Sequence, residues 1–191
     1  MKVIFLILLS LKLIYSGEEK GHKSTFKIEI YRDKNNIVKI HTLNSDSLDF
    51  IMEADSDYRL LYLFKKNKGE EKLLVKWDGD GYTIRFLGIT RKMRTAEPMV
   101  DRHILPYWLQ EQICSGKVPG KIKLLVPELG AVPVVFEEKE RQDTLKITMI
   151  VDGIVGKIFR RKFFFYYNKE GLLVKYADSS GRSLVLQRIE N

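Results

Sequence analysis

The chain is poor in the residues that staple or punctuate small proteins: one cysteine, Cys114, and five prolines stand among 191 residues. A lone thiol excludes any intrachain disulfide, so stability must come from packing, which a chain of this length can supply as one domain. Histidine is scarce too, and the three present, His22, His41 and His103, lack the spacing of metal ligands. No Gly-x-Ser-x-Gly elbow, phosphate loop or dinucleotide fingerprint occurs. No catalytic residue, metal or cofactor is therefore expected. Uninterrupted apolar runs of the roughly 20 residues that a membrane-spanning helix needs are also missing. Disorder is excluded in turn, because 45% of residues are hydrophobic and 11% aromatic, beside 30% charged.

What is present begins with a distinct N-terminus. Met1-Lys2 gives a positive start, Val3 to Ser10 is apolar, Lys12 interrupts, and Tyr15-Ser16-Gly17 ends the run with small residues. This pattern reads as a signal peptide over residues 1–16 followed by a single exported domain over 17–191. No cysteine stands near the expected cleavage point to accept a lipid. The expectation is a periplasmic or secreted protein that meets the membrane only through its leader. A formal net charge of +8 favours anionic partners or surfaces. Lysine and glutamate abundance with a single cysteine also fits a hot environment.

From Phe26 onward the chain alternates. Phe26, Ile28 and Ile30 oppose Lys27, Glu29 and Tyr31, and after Asp33-Lys34-Asn35-Asn36 the residues Val38, Ile40 and Thr42 oppose Lys39 and His41. Period two separated by turn residues predicts hairpins. The pattern continues with Tyr58, Leu60, Tyr62 and Phe64 on one face, then Leu73, Val75 and Trp77, and, after Asp78-Gly79-Asp80-Gly81, Tyr82, Ile84 and Phe86. Leu105, Trp108, Leu109 and Ile113 instead fall at helical spacing, predicting one helix over Ile104 to Cys114 with Pro106 in its first turn and Gly116 as its cap. Cys114 is expected on the inner face of that helix, as a small apolar residue. Strands return over Ile122 to Val126, Val132 to Glu138, Leu145 to Val151, a long run from Ile154 to Tyr167, Leu172 to Tyr176 and Ser183 to Ile189. Connections this short make neighbours antiparallel. The fold expected is mainly β, an antiparallel meander of about ten strands forming a strongly curved sheet or half-open barrel with one helix packed on it.

The last third, with its helix over Ile104 to Cys114, strand pair over Lys121 to Glu138, Asp152-Gly153 turn, Lys157 to Tyr167 strand and leucine-bearing end over Gly171 to Leu186, resembles the uncharacterised bacterial family of exported β proteins known as domain of unknown function 3108. The resemblance covers about half of the exported part. It implies a curved antiparallel sheet with a helix against it and brings no activity with it.

Three groups of residues are candidates for function. Trp77, Phe86, Trp108 and Phe164 are placed to line an apolar cavity between helix and sheet, as well as to pack a core. Lys157, Arg160, Arg161 and Lys162, running into the aromatics Phe163 to Tyr167, form a candidate polyanion surface; export argues against nucleic acid as its partner. Asp78 and Asp80 are too few for a calcium loop and read as a hairpin turn. The function expected is a non-enzymatic binding or scaffolding domain of the cell envelope that meets an apolar or anionic envelope component. The alternatives are a carrier for lipid or lipidated protein, and a hydrolase using carboxylates such as Asp101 and Glu128.

Overall fold

A computed structural model describes residues 10–141, 143–153, 156 and 161–190. Among the described residues fourteen strands form one sheet, not about ten. The first half holds β1 (Leu11–Glu19), β2 (His22–Arg32), β3 (Val38–Asn44), β4 (Leu48–Ala54), β5 (Leu60–Asn67), β6 (Glu70–Trp77), β7 (Gly81–Phe86) and β8 (Ile89–Arg94). Helix α1 (Leu105–Cys114) follows. The second half holds β9 (Lys121–Val126), β10 (Gly130–Arg141), β11 (Thr144–Val151), β12 (Lys162–Asn168), β13 (Leu173–Asp178) and β14 (Ser183–Glu190).

Every pairing of strands is antiparallel, and all but one join sequence neighbours. The exception is β1 with β14, which brings the start and the end of the chain together and seats β1 mid-sheet, between β2 and β14. Leu13 and Tyr15 of β1 are each 1% exposed, and the Tyr15 hydroxyl donates to the Leu173 carbonyl at 2.9 Å. Residues 11–16 of the expected leader are thus the first six of a central strand and include both buried side chains. The rest of the expected leader, residues 1–9, lies outside the described residues.

The additional strands are β1, β4 and β8. Polar side chains define the reversals between strands. Asp33, Asn44, Asp55, Asn168 and Asp178 each accept a hydrogen bond from the backbone N–H four residues on, closing the turn with a side chain where the ladder ends. Asp78 to Gly81 is a hairpin turn as expected, with Asp78 N–H donating to the Gly81 carbonyl. The strand expected from Ile154 begins only at Lys162; residues 154, 155 and 157–160 lie outside the described residues.

Irregularities between Ile14 and Tyr15, Glu53 and Ala54, Lys65 and Lys66, and Tyr166 and Tyr167 bend the sheet, as an extra residue on one strand increases local coiling. The second of these also corrects the expected facing of β5. Leu61 is the extra residue, so Leu60, Leu63 and Lys65 point inward while Tyr62 and Phe64 point out.

The sheet is not closed: β8 and β9 are its two ends. The segment leading into α1 lies along β9, where Leu125 N–H donates to the Val100 carbonyl at 2.8 Å and Arg102 N–H to the Leu125 carbonyl at 3.2 Å. Across the opening, the Arg91 guanidinium of β8 donates to the Pro127 carbonyl.

Helix α1 has the predicted limits within a residue, with Pro106 in its first turn and Gly116 at φ +69° just beyond it. Ten residues are too few for a helix to persist alone, so this one is held by packing. Leu105, Tyr107 and Leu109 are buried, Trp108 meets Phe136 with ring centroids 6.3 Å apart, and the Tyr167 hydroxyl donates to the Pro106 carbonyl at 2.8 Å. Cys114 is exposed, contrary to expectation; it ends the helix, beyond the row of buried positions.

Burial raises the phenols of Tyr15, Tyr82, Tyr107 and Tyr167 above their ordinary value of 10.0. Below pH 10 the folded and unfolded chains both hold these protons, so the phenols leave stability unchanged there. Above pH 10.0 the unfolded chain ionises and the folded one resists, which removes about 1.4 kcal/mol of stability per pH unit for each such phenol. Phenolate absorbance from these four is expected to appear together with loss of β-sheet circular dichroism in an alkaline titration. Their ionisation inside an intact sheet would contradict their enclosure.

Candidate functional site

The inward faces of the curved sheet do not meet. Between them and the N-terminal turn of α1 lies a cavity of about 700 Å³, within the range of about 300–1,000 Å³ typical of small-molecule sites. Leu105, Pro106, Tyr107 and Leu173 form its floor. Its walls take side chains from most strands, though none from β6, β7 or β8, among them Ile28, Phe50 and Met52 from one half of the sheet and Leu124, Met149, Phe163 and Phe165 from the other. Such a surface follows from alternation: each strand sends every second residue inward, and most of those positions are apolar.

The charged residues of the lining cluster where the chain turns between β9 and β10 and between β13 and β14. They are Lys65, Arg102, Glu128, Arg161, Asp178 and Arg182. Arg102 donates to Glu128, and Arg182 holds Glu19 at 2.7 Å. The Asp178 carboxylate is occupied by its own turn, accepting from Ser180 N–H at 2.8 Å and the Ser180 hydroxyl at 2.6 Å. Burial alone would raise this carboxyl, but those bonds outweigh it and hold it below the ordinary range. Lys65 has no ion-pair partner among the described residues. Its Nζ stands 6.0 Å from the centre of the Phe50 ring. Burial first and the Arg102 charge next push its ammonium below the ordinary lysine value; Glu128 opposes the shift in part and Arg182 adds to it.

Asp101 and Glu128 fall around one small cluster. Asp101 is fully buried and its Oδ1 accepts from His103 N–H at 2.7 Å and lies 2.8 Å from His103 Nδ1. His103 Nε2 lies 3.4 Å from Arg102 Nε, and Arg102 reaches Glu128. Asp101 Oδ2 and Glu128 Oε2 are buried without a hydrogen-bond partner among the described residues. Among the described residues no hydroxyl or thiol is bonded to His103, whose ring is oriented by the buried Asp101 carboxylate.

None of the four aromatics proposed from sequence lines the large cavity. Trp77 packs edge-on against Tyr82, Phe86 packs against the core, and Phe164 lies on the outer face under Lys146, whose Nζ is 4.5 Å from its ring centre. Trp108 borders a second space of about 600 Å³ beside the 93–100 segment, with Met93 and Ile122. Of the basic run, Lys157 and Arg160 lie outside the described residues, Lys162 is exposed, and Arg161 reaches the cavity. Lys65 and Arg182 had no signal in the sequence. The inward turn of Lys65 depends on the bulge upstream in β5, and Arg182 sits in a turn.

No family model and no curated protein matches this chain. Among solved structures it is similar to a beta-barrel-like protein of domain of unknown function DUF1849 from Brucella abortus. The TM-score is 0.58 at 9% identity, over 95% of this chain and 96% of that one. That likeness shows a shared β-barrel-like fold. A structure of PNGF-II also aligns, at 10% identity and a TM-score of 0.33 over 28% of its own length, too remote to inform the fold.

Proposed function

We propose that this protein is a non-enzymatic binding protein that carries an apolar molecule inside its half-open barrel. The observation behind this reading is the unfilled interior. Protein cores pack to crystal-like density and leave few voids larger than a water molecule, whereas this one keeps about 700 Å³ lined largely by apolar side chains. A scaffold needs a filled core; a carrier needs room. The apolar run Val3 to Ser10 supports work outside the cytoplasm, in contact with membrane components, with any processing upstream of Leu11.

The test uses the full chain and the neutral fluorophore N-phenylnaphthylamine, which brightens in apolar surroundings. Saturable enhancement at one site per chain is expected. Met149→Trp, whose indole would enter the cavity from a wall position, is expected to abolish the enhancement while preserving the circular dichroism spectrum. Undiminished enhancement in the folded variant would place the fluorophore elsewhere and overturn the reading.

A further inference from the structure

We infer that the ligand is an amphiphile with an anionic head, its tail in the barrel and its head at the charged rim beside Lys65. This inference rests on the carrier reading and adds the ligand's chemistry to it. Four cationic side chains, Lys65, Arg102, Arg161 and Arg182, and two carboxylates, Glu128 and Asp178, border a cavity whose remaining lining is largely apolar.

The partners of these charges decide which are free. Glu128 takes Arg102, Glu19 takes Arg182, and Asp178 is bound within its turn. Lys65 and Arg161 have no carboxylate partner among the described residues. Lys65 is the more telling, because it belongs to a strand interior and not to a loop. The bulge in β5 turns it inward, opposite Phe50, at a position where the other inward residues of the strand, Leu60 and Leu63, are fully buried.

An ammonium buried beside the Phe50 ring, with the Arg102 and Arg182 charges against it and only Glu128, already paired to Arg102, in its favour, is costly while the cavity is without an anion. A phosphate or carboxylate oxygen at Lys65 Nζ would remove the cost, and the tail would cover the apolar wall below. A neutral apolar ligand would leave the cationic excess uncompensated. A small anion alone would leave the wall bare.

The experiment compares dodecyl phosphate, dodecanoate, dodecanol and inorganic phosphate on the full chain by isothermal titration calorimetry, with Lys65→Met beside the unchanged protein. Methionine keeps the unbranched, flexible shape of the side chain, one atom shorter, and removes its charge, so the variant is expected to fold with a raised melting midpoint. The anionic amphiphiles are expected to bind about 10- to 100-fold more tightly than dodecanol, the range of a charge-assisted hydrogen bond. Lys65→Met should erase most of that margin and leave dodecanol unchanged. The better of phosphate and carboxylate identifies the head. Equal binding of dodecanol and dodecyl phosphate, unaffected by Lys65→Met, would overturn the anionic head and leave the carrier reading standing. Inorganic phosphate binding as tightly as dodecyl phosphate would overturn the amphiphile. Failure of every tailed compound to bind would overturn the carrier reading as well.

Discussion

A chain lacking residues 1–16 is expected not to fold. The deletion removes the first six residues of β1, with their hydrogen bonds to β2 on one side and β14 on the other. These are the ladders that join the two halves of the sheet. Burial of Leu13 and Tyr15 is lost too, at about 1.5–3 kcal/mol for each large apolar side chain. A domain has a net stability of only about 5–15 kcal/mol, and here the deletion would also open two strand edges over a hollow interior. The comparison is a chain lacking residues 1–9 only, which keeps β1 whole and is expected to melt cooperatively. Circular dichroism melts of the two deletions decide the matter. Cooperative, unshifted melting of residues 17–191 would mean that β1 contributes nothing to the sheet.

Leu109→Ala is expected to destabilise the protein by about 2–5 kcal/mol, the usual cost of emptying a buried leucine site. Leu109 is completely buried and belongs to the row that holds α1 against the barrel. The helix has no side-chain cap at its N-terminus, so packing and the Tyr167 bond to Pro106 are what keep it in place. A drop in the midpoint of about 2–4 °C per kcal/mol should follow for a chain of this size. An unchanged midpoint with faster amide exchange confined to α1 would show instead that the helix is a separately opening lid and not part of the cooperative core.

Most of the architecture is legible because alternation and turn chemistry are local. Phe26 to Ile30, Val38 to Thr42 and Leu73 to Trp77 all face as their period dictates. What local pattern hides is of three kinds. In β1 an apolar run with a small-residue ending is read equally well as a leader, and only pairing with β14, from the far end of the chain, makes it a strand. In β8, Thr90 to Lys92 carry no apolar alternation, since an edge strand has little to bury. In β5 a single extra residue reverses the facing of everything after it, which placed Tyr62 and Phe64 inside and concealed Lys65. A cavity between helix and sheet is expected from the sequence, but its lining is not: Trp77 and Phe86 pack elsewhere, and the void is bordered by side chains gathered from strands of both halves of the sheet, Phe50, Phe163 and Phe165 among them. The carboxylates Asp101 and Glu128 were visible as residues, but their gathering around Arg102 and His103 requires the segment before α1 to lie along β9.

The most direct test of the account is a crystal structure of the intact chain with dodecyl phosphate. The account predicts continuous density for the alkyl chain along Met149, Phe163 and Phe165, ending in a phosphate within hydrogen-bond distance of Lys65 Nζ. An interior filled by the protein's own side chains, with the ligand outside the barrel, would contradict it.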